Sequence, residues 1–208
     1  MPEFLQKGGP LLWILVIASI IAVAVFLERA FYLHRISVRV GEILRGLANL
    51  VRIGNYSEAV TECASTAGPV GRVMHAVMIK HTLDRTELKD IAQDAGQLEI
   101  PRLERNLGLL VTIVYLAPLI GLLGTVVGLI QAFTAISAQG GYATAAEIAG
   151  GVYQSLLTTA AGLALAVPCL LAYQYLSHRV NEIVHDMERA GIEVVAMIMD
   201  QRRASPPQ

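Results

Sequence analysis

Two stretches of this chain carry no charged residue and no histidine, and they limit its possible folds more than any other feature. They run from Asn106 to Ala146 and from Ile148 to Ser177, with only Glu147 between them. The first holds LAPLIGLLGTVVGLIQAF (Leu116 to Phe133) and the second GVYQSLLTTAAGLALAVP (Gly151 to Pro168). Both mix large apolar residues with Gly, Ala and Thr at helical spacing. An uncharged apolar run of about 20 residues is long enough to cross a bilayer as a helix. Inside lipid a helix also satisfies its own backbone groups. Composition agrees: 54% of the residues are hydrophobic, 16% are charged and the mean hydropathy is +0.54. That is too apolar for an ordinary soluble domain. The expected fold class is an all-α integral membrane protein with three transmembrane helices, two of them long and extending into the cytoplasm, plus a cytoplasmic helical segment.

Residues 1–10 form a short polar lead, expected outside the cytoplasm, ending in the helix-breaking Gly8-Gly9-Pro10. Residues 11–33 read as the first span, with the uncharged run LLWILVIASIIAVAVFL and with Trp13 and Tyr32 as interfacial anchors. A cleaved leader is the rival reading, because Ala22-Val23-Ala24 resembles a cleavage site. The length of the run, the barely basic lead and the charged flank at Glu28-Arg29 favour a retained span.

Residues 34–105 read as a cytoplasmic helical domain. Eleven of the sixteen Lys and Arg residues lie between Glu28 and Arg105. Val40, Ile43, Leu44, Leu47, Leu50 and Val51 make one apolar helical face, closed by Gly54-Asn55. Asn55 with Glu58 and Asp84 with Glu87 have the spacing of capping pairs. Gly68-Pro69 is a break, Val70 to Thr82 a further helix, and Pro101 a kink or joint before the second span.

The second span covers 106–137. Roughly thirty helical residues reach about 45 Å, beyond a hydrocarbon core of about 30 Å. A loop (138–149) containing the turn Gln139-Gly140-Gly141-Tyr142 leads to the third span, 150–177. An amphipathic helix over 178–200 follows, with Ile183, Met187, Ile192, Val195 and Met199 on or near one face, and then a disordered tail over 201–208. The lead carries one basic residue and the 138–149 loop none, against eleven and four in the other two segments. The positive-inside rule therefore puts the N-terminus and the short loop outside and the large segment and C-terminus in the cytoplasm.

Gly121, Gly124 and Gly128 in the second span and Gly151 and Gly162 in the third fall at small-residue spacings that let helix backbones approach. Packing within one subunit would account for them. Three helices, however, offer little protein to seal so many small faces, so a homo-oligomer is expected. Pro118 and Pro168 are candidate kinks. Thr125, Ser155, Thr158 and Thr159 are candidate ion-path or partner-facing residues, though each hydroxyl has a local carbonyl to bond. Gln154 is harder to leave in lipid, and a partner helix, a cavity or the outer water would satisfy it. Neither long span, nor the uncharged run 11–27 of the first, contains an Asp, Glu or His, the groups that relay protons through membranes. A carboxylate for ion transfer must then come from another polypeptide. No span holds an acid pair, a nucleophile with its base or a metal constellation, so no enzymatic activity, cofactor or metal site is expected. Cys63 and Cys169 lie in different solvents and read as free buried thiols.

These segments resemble the MotA/TolQ/ExbB family, and in particular its ExbB/TolQ branch. The resemblance is carried by GGPLLWILVIASIIAVAVFLERAFYL (8–33), GNYSEAVTECASTAGPVGRVMHA (54–76), LERNLGLLVTIVYLAPLIGLLGTVVGLIQAF (103–133) and GVYQSLLTTAAGLALAVPCLLAY (151–173). APLIGLLGTVVG followed at this distance by LLTTAAGLALAVP is its most specific part. It implies a pentamer of such subunits in the bacterial inner membrane. The ring would enclose the single spans of ExbD/TolR-like partners, each with a membrane Asp. Proton motive force would thereby become work on a TonB/TolA-like protein serving outer-membrane import. In family terms Thr125 and Thr159 match pore-facing threonines. Gln154 stands where this branch commonly carries Glu, which puts a proton-accepting role there in doubt. A TolQ-like envelope role or a gliding-motor role is the alternative within the class, and a non-conducting membrane scaffold the alternative outside it. The flagellar MotA branch fits less well, since it has four spans. The lipid bilayer is an expected partner and nucleic acid is not.

Overall fold

The computed structural model describes residues 9–36, 40–138 and 145–204, and all the regular structure among them is helical. The helices are α1 (Gly9–Ile36), α2 (Val40–Ile53), α3 (Tyr56–Ser65), α4 (Pro69–Ile79), α5 (Arg85–Leu103), α6 (Leu107–Ala138) and α7 (Ala145–Ala204). Three of them, α1, α6 and α7, contain stretches long and apolar enough to cross a membrane. The chain divides into two compact units whose borders fall within α1, after Arg29, and within α7, after Leu176.

The first unit comprises α1 up to Arg29, α6, and α7 up to Leu176. Large apolar side chains such as Ile20, Leu119, Phe133 and Leu171 point outward, each more than half exposed. Its interior is made of small residues and a few large ones: Leu15, Ala117 and Ala166 are buried together, flanked by Ile120, Ala161 and Leu165. A surface like this suits hydrocarbon or the apolar faces of other helices, not water.

The second unit has the opposite arrangement. Leu44, Leu47 and Val51 of α2, Val73, Met74 and Val77 of α4, and Val180, Met187, Val194 and Ile198 of α7 are buried, while charged side chains cover the outside. Gly54 (φ +79°) ends α2 and Gly68 (φ +99°) precedes α4, both in the left-handed region where glycine is favoured. The Asn55 side chain accepts from the Glu58 amide and donates to the Glu58 carboxylate, starting α3. Glu87 accepts from the Asp84 amide and the Thr86 hydroxyl donates to Asp84, fixing the start of α5. The Arg85 backbone amide first, and then the Thr86 hydroxyl, hold the Asp84 carboxyl below its ordinary range.

Several segment boundaries differ from the sequence reading. Residues 178–200 are not a separate helix and 201–204 are not part of a tail: α7 is one helix of 60 residues. Around Ser177-His178 the surroundings change from apolar to charged, but no Gly or Pro interrupts the backbone, so the helix continues. The end of α7 is also held, because the Arg202 guanidinium donates to the carbonyls of Leu83 (2.8 Å) and His81. Residues 145–149 of the expected loop are the first turn of α7, and the proposed turn at 139–142 lies outside the described residues. Helix α5 runs through Pro101 to Leu103, and the break falls three residues later at Asn106 (φ +65°). Ile192 is not on the core face of α7: it is 65% exposed. Nine residues after Ile183, at about 100° per residue, it points to the opposite side of the helix.

Candidate functional site: two threonines beside a glycine seam

The site lies in the first unit, where α6 and α7 pack along a seam of small residues. A Cβ built on Gly121 would lie 3.0 Å from the Thr159 Cα. On Gly124 it would lie 2.5 Å from the Thr158 Cγ2, and on Gly128 2.6 Å from the Ser155 Cβ. From the other helix, a Cβ on Gly151 would lie 2.9 Å from the Gly128 carbonyl, and one on Gly162 would strike the Ala117 carbonyl. All five packing glycines therefore serve one contact within the chain. Within one chain the two long helices seal these stripes against each other.

The seam also fixes the hydroxyls. Ser155 and Thr158 are buried, at 2% and 1% exposure. They donate to the backbone of their own helix, Ser155 to Val152 (2.7 Å) and Thr158 to Gln154 (2.9 Å). In a single chain both are seam residues with no face free for a partner. Thr125 and Thr159 are different, being only half-buried. Their hydroxyls touch each other across the two helices. Thr159 also donates to the Gly121 carbonyl at 2.9 Å, with the Ser155 carbonyl at 3.3 Å. The Thr125 hydroxyl lies 3.4 Å from the same Gly121 oxygen. Each threonine has one hydrogen to give. When Thr159 donates to Gly121, Thr125 donates to Thr159, and the lone pairs of Thr125 are left as acceptors. The Gly121 carbonyl is a member of the site that no side-chain pattern announces.

Gln154 is not next to this pair. Its Nε2 lies where a Cβ on Gly9, the first residue of α1, would come within 2.5 Å. Pro118 and Pro168 lie inside continuous helices, each removing one N–H from the ladder. Pro168 and Cys169 line an apolar recess of about 460 Å³ with Ala22, Phe26 and Tyr175. Both cysteines are buried free thiols.

Three helices able to span a membrane, a glycine seam and a hydroxyl pair with no acid beside it among the described residues define a helical membrane protein with a polar point on one flank of its long spans. The chain belongs to the MotA/TolQ/ExbB proton channel family, whose model matches residues 65–189, from the end of α3 into the second half of α7. Its relatives put it in the ExbB/TolQ branch. It is 29% identical to an ExbB homolog of Methanothermobacter thermautotrophicus over 187 residues, 89% of this chain and 66% of that one. It is 33% identical to biopolymer transport protein exbB1 of Vibrio cholerae over 180 residues, 85% of this chain and 79% of that one. With the Tol-Pal system protein TolQ of Haemophilus influenzae it shares 43% identity over 88 residues, 42% of this chain and 38% of that one. Family and helices together make it a multi-pass membrane protein.

Proposed function

We propose that this chain is the ExbB-like subunit of an ion-driven motor in the bacterial inner membrane. Its N-terminus would face the periplasm and its C-terminus the cytoplasm, in keeping with the distribution of Lys and Arg. Subunits form a homo-oligomer, on the family pattern a pentamer. That ring surrounds an ExbD/TolR-like single-span partner with a membrane Asp. The complex does work on a TonB/TolA-like protein for outer-membrane import. The observation that carries this reading is the Thr125–Thr159 hydroxyl pair, half-buried on one flank of α6 and α7, in spans that supply no acid of their own.

The chemistry follows from the rotor. With Thr159 donating to Gly121 and Thr125 to Thr159, the pair offers the Thr125 lone pairs and accepts a hydrogen bond from a protonated carboxyl. Turned outward, the same hydroxyls donate to an ionised carboxylate. One site thus serves both protonation states of a partner Asp without placing a second charge in the membrane, where charge is costly. Moving one elementary charge through 100 mV releases about 2.3 kcal/mol. A ring repeating the pair offers the carboxylate a series of equivalent stations. A TolQ-like role in envelope maintenance is the second reading, favoured by the TolQ relative.

The test begins with the wild-type chain, purified from its own cells in detergent with whatever single-span, Asp-bearing protein accompanies it. Reconstituted into liposomes, that complex takes up protons under an imposed potential. In the Thr125→Val/Thr159→Val variant uptake falls to the leak of protein-free liposomes while the complex stays assembled. A variant complex that falls apart assigns the threonines to packing. A wild-type complex with no such partner and no uptake favours a non-conducting scaffold.

A further inference from the structure

Helix α7 divides its surface in the membrane unit into three strips. At about 100° per residue, Gly151, Ser155, Thr158 and Gly162 fall within about 60° of one another and form the strip that meets α6. Thr159 lies to one side of it. Gln154 lies to the other, about 140° around the helix from Thr159. Leu165, in the cluster that contains Leu15 of α1, and Ala172 fall within about 20° of Gln154, and both line the recess they share with Ser19, Ala22 and Phe26 of α1. The Gln154 strip is therefore the one that faces α1, and its amide reaches the first residue of that helix. Helix α6 repeats the division: Ile120, in the same cluster, and Thr125 lie about 140° apart. The family position occupied by Gln154 is thus separated from the threonine pair by the full width of the glycine seam.

We propose that Gln154 is a positioning residue that seats the start of α1 on α7, and that it takes no part in the ion path. Gly9 has φ +66° and its missing Cβ leaves the space the amide uses, 2.5 Å from Nε2 and 3.7 Å from Cδ. Pro10 supplies no N–H, and the amides of the next α1 residues have no carbonyl within the helix to bond. A glutamine at that end offers both a donor and an acceptor without bringing charge into the apolar layer. A glutamate there would serve the same contact, its charge suited to the positive end of the α1 dipole. The proposal stands independently of whether the threonine pair conducts.

Amide hydrogen exchange of the first turns of α1, read on the full chain in lipid nanodiscs without any partner, tests it. Gln154→Ala speeds exchange over residues 11–14 about tenfold, the size expected for losing a helix-end contact. Gln154→Glu keeps it near the wild-type rate, and Thr159→Val leaves it unchanged. Gly9→Ala, which pushes the amide away from the other side, gives the same faster exchange and substitutes for Gln154→Ala should that variant not fold. Unchanged α1 exchange in Gln154→Ala overturns the proposal. So does equal acceleration in Thr159→Val, which would mean that the contact is not specific to Gln154. So does loss of proton uptake in Gln154→Ala with α1 still protected.

Discussion

The two units of this chain are both helical, yet they are held together by opposite means. In the membrane unit, helices meet where side chains are missing: residues of α7 come so close that a Cβ would be crowded at Gly121 and excluded at Gly124 and Gly128. In the second unit, helices meet through bulk, with Leu47, Met74, Met78, Leu88 and Ile198 almost completely buried. The difference follows from the solvent. Water expels large apolar side chains into a core. Lipid does not, so association there depends on close approach and on hydrogen bonds. Charge is divided the same way. The second unit buries Glu99 at 5% exposure between the guanidinium groups of Arg72 (2.5 Å) and Arg102 (2.8 Å), whereas the interhelical polar contacts described in the seam are between neutral groups.

The contrast can be broken most severely at the seam. Gly128→Val adds branched bulk 2.6 Å from the Ser155 Cβ and 2.8 Å from the Gly151 carbonyl. Overpacking of this kind costs about 3 kcal/mol or more, since backbone cannot yield as a side chain can. Loss of α6–α7 association in lipid, read as cross-linking between the two helices, measures it. An equivalent addition to the exposed Gly46 of α2, where nothing lies within 4 Å, should have little effect.

Removing the buried carboxylate tests the other side of the comparison. Glu99→Ala leaves two cations facing each other and lowers the stability of the second unit by about 2 kcal/mol. That is less than the 3–5 kcal/mol of a fully buried pair, because the arginine side chains remain 48% and 65% exposed. Denaturant midpoints of the full chain in detergent report it. Glu99→Gln should lie between the two.

Cys63 gives a pH signature of the bulk-packed core. Burial first, and then the neighbouring Glu62 carboxylate, push its thiol up from 9.0 to about 11. The fold holds the neutral form, so this contribution is complete below pH 9 and is lost as pH rises towards 11. At 1.36 kcal/mol per unit the full loss is about 3 kcal/mol. Unfolding midpoints between pH 8.5 and 11 should fall more steeply in the wild type than in Cys63→Ala. Equal slopes would place the thiol in contact with water. The smallest effect is expected at the surface. Asn55→Ala removes the cap that accepts from the Glu58 amide and costs about 1 kcal/mol, visible as faster exchange at the start of α3 alone.

Much of this was legible in the residues because membrane insertion and capping are local. Three uncharged runs specify three spans whatever their neighbours do, and Asn55 with Glu58 and Asp84 with Glu87 start helices through contacts three residues apart. Length was less legible. Nothing at Ser177 or Asp200 ends a helix, and a change of solvent along a helix was read as a change of element. Ile192 departs from the apolar pattern for a related reason: nine positions after Ile183, it shares apolarity with the core stripe but not its direction. The site was legible in part. Thr125 and Thr159 are visible as hydroxyls in apolar runs. The Gly121 carbonyl that orders them has no side chain to reveal it, and Glu99 looks in sequence like any other surface acid.

The sequence by itself determined that this protein lives in a membrane, that it does so with three helices, and that no acid of its own enters the long spans. These follow from composition along each segment, and they hold for any arrangement of the helices. Only the tertiary structure decided how the polar residues are shared out. Five polar residues of the two long spans divide into three roles: Ser155 and Thr158 fill the seam, Thr125 and Thr159 meet on its far flank, and Gln154 turns to α1. A difference of one position along a helix is about 100° of rotation. Which neighbour waits at each angle is set by a contact partner more than thirty residues away.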